Sequence, residues 1–170
     1  MSPRPDTRHG LKALLKECCR RLQDSALPEN ISQAFNCPRC DGPDAALAAE
    51  ARWLVRAWQP ESFRPREAAL GMLWRTRDEL CILGAMADSD VFTRAAGKND
   101  QTWMKGDVLE VFLQPAGGEQ YFELHLAPNL ATLELRIPSI AAFRAGGLTM
   151  AELVADLGLR GETGMLAEPG

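Results

Sequence analysis

Residues 107–126 decide the fold: Asp107–Gln114 (DVLEVFLQ) and Glu119–Leu126 (EQYFELHL) flank Pro115–Gly118 (PAGG). Apolar and polar residues alternate on either side of this turn-forming stretch, a pattern typical of a β-hairpin. Every second residue is apolar, as in Leu109 and Val111 or Phe122 and Leu124. Side chains in a strand point alternately to the two faces of a sheet, so the hairpin is predicted to pair in a register that puts both apolar sets on one face.

The opposite face of this hairpin carries the candidate site. Its side chains are Glu110, Phe112, Tyr121, Glu123 and His125. Two registers close to the turn are compatible with the pattern, and they place Glu110 opposite either Glu123 or His125. Carboxylates accept hydrogen bonds from sugar hydroxyls, and an aromatic ring covers the apolar C–H face of a pyranose. The pattern therefore predicts a platform suited to sugars; the alternative is an ordinary solvated sheet face.

Other short apolar runs surround the hairpin. With it they predict six strands, at residues 52–58, 69–75, 80–87, 108–114, 120–127 and 132–137. Short strands divided by turn clusters favour an antiparallel sandwich or barrel over alternating β-α-β units. We therefore predict a mainly β protein, an antiparallel β-sandwich with an N-terminal helix and a short C-terminal helix. The predicted segments are a basic helical leader with a connector (1–43), the sandwich (44–138) and a short helix with a flexible tail (139–170).

The flanking segments show helical patterns. Apolar residues from Leu11 to Leu22 follow the i, i+3, i+4 spacing and predict a helix over about 9–24. Its basic face is expected in solvent, and the alternative is contact with an acidic partner or a membrane surface. Thr149–Glu152 fits a capping box that begins a helix reaching about Leu157, with Gly158 as its stop. The last residues, from Leu159, are expected to fray.

Composition excludes several classes of protein. The chain has 170 residues, 46% of them hydrophobic, and a formal net charge of −4. It is too apolar for a disordered chain and too acidic for a generally basic nucleic-acid binder, and it contains no run of about 18 apolar residues for a membrane span. Five cysteines and an N-terminus unlike a secretory signal predict reduced thiols and a cytoplasmic location.

The acidic and aromatic residues of the central region also carry a resemblance to a known family. Asp88–Phe92, Asn99–Trp103 and Gly106–Leu113 resemble the family 9 carbohydrate-binding modules and their DOMON-like relatives. Tyr121–Leu124 and Leu133–Ile137 continue the match, which covers about residues 44–138.

The resemblance implies a β-sandwich that binds the ends of xylan- or cellulose-type chains, commonly attached to glycoside hydrolases. In such a module Trp103 would stack on the sugar and Glu110 would accept hydrogen bonds from its hydroxyls. From the hairpin pattern, Tyr121 would add to the stacking, and Glu123 or His125 would assist Glu110. The resemblance also favours export, in conflict with the cytoplasmic prediction.

Two groups of residues are candidate metal ligands. One is an oxygen-rich cluster that suits Ca²⁺, although Asx-turn chemistry uses the same residue types: Asp88, Asp90, Asn99, Asp100 and Asp107. The other is Cys37-Pro-Arg-Cys40, which could form half of a zinc site with Cys18 or Cys19, a redox pair, or incidental thiols. No cofactor is required by the predicted function.

The first hypothesis is a non-catalytic carbohydrate-binding domain rather than an enzyme. The second hypothesis is a structural or interaction domain that has lost sugar binding and associates with itself through open sheet edges. It is motivated by the lack of any Trp, Tyr or Phe after Phe143 to serve as the second stacking ring that the resemblance implies. The third hypothesis is a small glycosidase that uses Glu110.

Overall fold

The computed structural model describes residues 13, 16–18, 20, 36–40, 49–54 and 67–165. The chain divides into two compact units, Met1–Ser89 with Gly170 and Asp90–Pro169. Within the described ranges, each unit contains one antiparallel three-stranded sheet. The prediction of a mainly β protein is therefore confirmed.

The first unit is built on the sheet β1 (Arg52–Trp53), β2 (Ala69–Arg75) and β3 (Leu80–Met86). Alternate residues of β2 and β3 enter a core whose buried members are Cys18, Ala49, Leu70, Met72, Leu83 and Ala85. The described part of the predicted leader helix (residues 13, 16–18 and 20) is helical, and Cys18 Sγ lies 3.5 Å from Met72 Sδ. The rest of that predicted helix, and residues 55–58 of the first predicted strand, lie outside the described residues.

The second unit contains β4 (Leu109–Leu113), β5 (Tyr121–Leu126) and β6 (Thr132–Ile137), in that spatial order. Glu110 pairs with His125 and Leu109 with Leu126, so the hairpin adopts one of the two predicted registers. In β6, Leu133 pairs with His125, which places its side chain on the same face as the candidate site.

The core of the second unit lies on that face, at the side of β6. Its buried side chains are Leu133, Leu135, Ile137 and Leu153, with Tyr121, Leu148, Met150 and Val154 packed against them. The sheet face that carries the predicted platform is thus divided. Its β6 side is core, and the exposed part of the platform lies toward β4, where Phe112 is exposed.

Two short helices follow β6: α1 (Ile140–Arg144), capped by the Ser139 side chain, and α2 (Met150–Leu153). The predicted capping box of α2 is present, because Thr149 and Glu152 bond each other's backbone reciprocally. The helix ends four residues before the predicted Leu157, and that part of the prediction is wrong. The physical reason is competition from the sheet: Val154 forms a bridge with Leu135, and Ala155 N donates to Glu134 O at 2.9 Å.

The segment after α2 follows the sheet instead of leaving it. Leu157 N and Leu159 N donate to Glu134 Oε2 at 2.7 and 3.1 Å. A Cβ on Gly161 would meet Leu126 Cδ1 at 2.6 Å, which shows how closely the backbone approaches the hairpin. Thr163 Oγ1 donates to Pro128 O at 2.7 Å. Part of the stretch expected to fray therefore has specific partners.

The capping box makes stability depend on pH in one direction. Hydrogen bonds from the Thr149 backbone and side chain hold the pKa of Glu152 below its ordinary value of 4.5. A carboxyl whose folded pKa is lowered stabilises the fold above its unfolded pKa, and this contribution is lost as the pH falls through the folded pKa. In urea unfolding, we expect Glu152→Gln to lower the midpoint at pH 7, with the difference from wild type shrinking below about pH 4.5. A difference independent of pH would contradict this assignment.

Within the described residues, no helix has both the length and the apolar character needed to cross a membrane.

Candidate functional site

The candidate site is centred on the imidazole of His125, whose side chain is only 3% exposed. Thr102 Oγ1 lies 2.9 Å from Nδ1, and Glu110 Oε1 lies 3.7 Å from the same nitrogen. On the other side of the ring, Glu123 Oε2 lies 3.6 Å from Nε2. The imidazole is therefore enclosed by a hydroxyl and two carboxylates. Because it is so deeply buried, it positions its neighbours instead of presenting itself to a ligand.

Two exposed aromatic rings flank this histidine. Trp103 stands in a 3₁₀ turn (Thr102–Met104), and its ring meets His125 edge-on, with centroids 5.7 Å apart. Phe112 of β4 lies 6.4 Å from the same ring. Trp103 and Phe112 are 40% and 58% exposed, respectively. Such exposure leaves much of each ring available to a ligand, although burial would be the lower-energy state of an aromatic side chain.

The turn that presents Trp103 is anchored from inside the unit. Thr102 is fully buried, and its hydroxyl is the one bonded to His125. Lys105 N donates to Thr102 O at 3.0 Å and closes the turn. Thr102, the neighbour of Trp103 in sequence, therefore holds the turn against β5. The indole is thus presented from a position that a strand supports, which suits a binding residue.

The three remaining predicted residues differ in accessibility. The Glu110 side chain is 31% exposed and that of Glu123 is 16% exposed. Tyr121 packs against the core at Leu133–Ile137, and burial together with the Glu123 carboxylate raises its pKa above the ordinary value. The structure thus brings all five predicted residues onto one sheet and its adjoining turn, but the accessible ones are Trp103 and Glu110.

An open depression of about 500 Å³ lies beside Trp103. It is lined by Phe92, Arg94, Trp103, Met104, Lys105 and Gly106. Sequence reasoning missed Arg94 and Met104 as site residues, because neither shows a periodic pattern that would mark its exposure. The sequence pattern placed Phe112 on the platform face, but Phe112 was not among the predicted binding residues. Its alternation with Val111 and Leu113 was the signal that could have identified it as one.

A short pairing of two backbone segments builds one wall of this depression. Arg94 N donates to Lys105 O at 2.7 Å, and Asp107 N donates to Phe92 O at 2.8 Å. Gly106 has a φ of +137°, and a Cβ there would lie 2.4 Å from Phe92 O. Only glycine allows the two segments to approach this closely.

The residues predicted to bind calcium have other partners in the structure. Asp100 accepts Ala96 N and Gln101 N at 2.7 and 2.8 Å and pairs with Lys105, and its pKa is lowered first by Lys105 and then by these N–H groups. Asp107 accepts Phe92 N, and Asn99 accepts Glu134 N at 3.3 Å. The contacts of Asp100 are local and match the turn chemistry that was the alternative to calcium, whereas those of Asp107 and Asn99 join segments distant in sequence. Asp88 and Asp90 belong to different units.

Cys37 and Cys40 are unlinked thiols in the first unit, and Cys40 is buried. Backbone hydrogen bonds attach their segment to the end of β2: Cys40 N donates to Arg75 O at 2.8 Å, and Arg75 N to Pro38 O at 3.0 Å. Among the residues that the structure describes, no three His, Cys, Asp or Glu side chains are grouped to hold a metal ion. Cys19, a possible zinc partner, lies outside these residues, and metal binding at both places stays a prediction.

Comparison with known proteins adds no relative: no family model, curated protein or solved structure matches the chain.

Proposed function

We propose that this chain contains a non-catalytic carbohydrate-binding domain, with its site at Trp103, Phe112 and Glu110. The observation that carries the proposal is the pair of exposed rings around the buried His125, with a partly exposed carboxylate beside them. A flat aromatic surface next to a hydrogen-bond acceptor matches the two faces of a sugar, one apolar and one hydroxylated.

Each residue has a distinct task in this proposal. Trp103 stacks on a pyranose ring, and Glu110 accepts hydrogen bonds from its hydroxyls. His125 and Thr102 hold the indole in place, since their 2.9 Å contact joins the turn to β5. Glu123 supports the histidine directly, with Oε2 3.6 Å from Nε2, and Tyr121 interacts with Glu123 from the side of the core.

The ligands proposed from the family resemblance are ends of xylan- or cellulose-type oligosaccharides. The β-sandwich expected from the same resemblance is part of the proposal, and so is the absence of a bond-breaking step. The exposed Phe92 and Met104 side chains favour the alternative of an interaction domain, because exposed apolar groups close together often mark contacts with other proteins.

Calorimetric titration with xylohexaose and cellohexaose tests the sugar-binding proposal. Truncating a stacking tryptophan removes both contact area and ring-specific attraction, so we expect Trp103→Ala to weaken binding by about 30-fold or more. Trp103→Phe should recover much of that loss, because it restores a stacking face. Phe143→Ala is the matched control: Phe143 is an exposed aromatic residue in α1 of the same unit, 47% exposed, and its loss should leave binding unchanged.

Circular dichroism of each variant establishes that the fold is retained. A wild-type protein that gives no heat with either sugar contradicts the proposal and favours the interaction domain. Equal affinities of wild type and Trp103→Ala would contradict the role of the indole.

A further inference from the structure

We propose that the depression beside Trp103 recognises the carboxylate of an acidic sugar, a uronic acid residue, through the guanidinium of Arg94. This inference rests on the proposed function, because Trp103 belongs both to the sugar-stacking site and to the lining of the depression. It extends that function from sugars in general to a class of sugar that carries a negative charge.

Arg94 supplies the uncompensated positive charge of the depression. Its guanidinium carbon lies 5.5 Å from the centroid of the Phe92 ring. Within the described part of the chain, no carboxylate oxygen forms an ion pair with it. The other cation of the lining, Lys105, is paired with Asp100. An anion entering the depression would therefore be attracted chiefly by Arg94.

The charge at Arg94 is local. The second unit, Asp90–Pro169, has six Lys and Arg against eleven Asp and Glu, a net charge of −5. A surface of that sign repels polyanions in general. Binding of an acidic sugar then depends on a direct contact with one guanidinium, and the surrounding field gives it no help.

The guanidinium also has a contact that favours one position. Its cation–π contact with the Phe92 ring keeps it near that ring, and its N–H groups are hydrogen-bond donors for an anion. The backbone on either side is fixed by the pairing of Arg94 with Lys105 and of Phe92 with Asp107. A planar guanidinium can bind a carboxylate through two parallel hydrogen bonds.

The two neighbouring aromatic rings favour an anion that is part of a sugar. Phe92 and Trp103 line the same depression as Arg94, so an anion there lies beside apolar ring surface. A uronic acid combines a carboxylate with a pyranose ring that has an apolar C–H face, and both parts have a counterpart in the lining. The volume of about 500 Å³ is within the range of small-ligand sites.

Calorimetry with a matched pair of ligands tests the inference. The first is a xylo-oligosaccharide bearing one glucuronic acid branch, and the second is the same compound with that carboxyl reduced to an alcohol. We expect wild type to bind the acidic ligand about tenfold more tightly, the effect of one charge-assisted contact. Arg94→Gln should abolish this preference, so that the acidic and the neutral ligand bind equally tightly, and circular dichroism shows that the variant is folded.

Arg136→Gln is the control for lost charge. Arg136 is exposed on β6, where its pairing with Phe122 places it on the face opposite to His125, and this variant should keep the tenfold preference. Equal wild-type affinity for both ligands overturns the inference and leaves the proposed function standing. A preference that survives in Arg94→Gln overturns the role of Arg94. No binding of either ligand overturns the proposed function itself.

Discussion

Replacing Glu134 by alanine is expected to lower the free energy of unfolding by about 3 kcal/mol, because it leaves the partly buried N–H groups of Leu157 and Leu159 without their charged acceptor. Glu134 is fully buried in the middle of β6. One of its carboxylate oxygens, Oε2, accepts both Leu157 N and Leu159 N, and the other lies 3.4 Å from Lys98 Nζ. The side chain is thus the acceptor that ties the segment after α2 to the sheet.

Urea unfolding measures the loss, and hydrogen exchange locates it. We expect the amides of Leu157 and Leu159 to lose protection in Glu134→Ala before the strand amides of β5 do. Glu134→Gln is the matched control, since it keeps the shape and one oxygen acceptor but removes the charge, and it should cost less. Unchanged protection at both leucines would show that the segment is held by other contacts.

Gly106→Ala is expected to cost about 3 kcal/mol and to disturb the wall of the depression. At a φ of +137° an L residue is strained, and the added Cβ would meet Phe92 O and Thr93 Cα at 2.4 and 2.7 Å. These contacts are with backbone, which has no rotamer through which to relieve the overlap. Thermal or urea unfolding gives the size of the effect.

Gly117→Ala separates the two causes of that cost. Gly117 has a φ of +75°, and a Cβ there would meet nothing within 4 Å. It should therefore show only the backbone penalty of about 1 kcal/mol. If both alanine variants lose the same stability, the overlap with Phe92 contributes nothing.

The strands were predictable because alternation is a local signal. Ala69–Arg75 and Thr132–Ile137 form strands with the predicted bounds. Leu80–Met86 is one residue shorter than predicted at its end, and Leu109–Leu113 and Tyr121–Leu126 are one residue shorter at both ends. Keeping the apolar sides of the two strands in phase left two registers for the hairpin, and the structure has one of them. The capping box of α2 was equally local, since it depends on residues only three positions apart.

The burial of Glu134 could not be predicted from alternation. In Thr132–Ile137 it stands at a position that alternation assigns to solvent, yet it is fully buried. The reason is non-local: residues more than 20 positions later bring their N–H groups to its carboxylate. Pairing of the same segment with β6 also ends α2 at Leu153, before the predicted Leu157. The depression escaped prediction for a similar reason, since Arg94 and Lys105 meet through backbone pairing that no periodicity shows.

The turn Thr102–Met104 divides two tasks between adjacent residues. Thr102 is buried and fastened to β5, whereas Trp103 and the 70%-exposed Met104 face outward. Replacing the outward pair would leave the anchor intact. Substitutions at these two positions can therefore change the ligand preference with little effect on folding. This is the usual advantage of contact residues placed on a loop that a rigid scaffold supports.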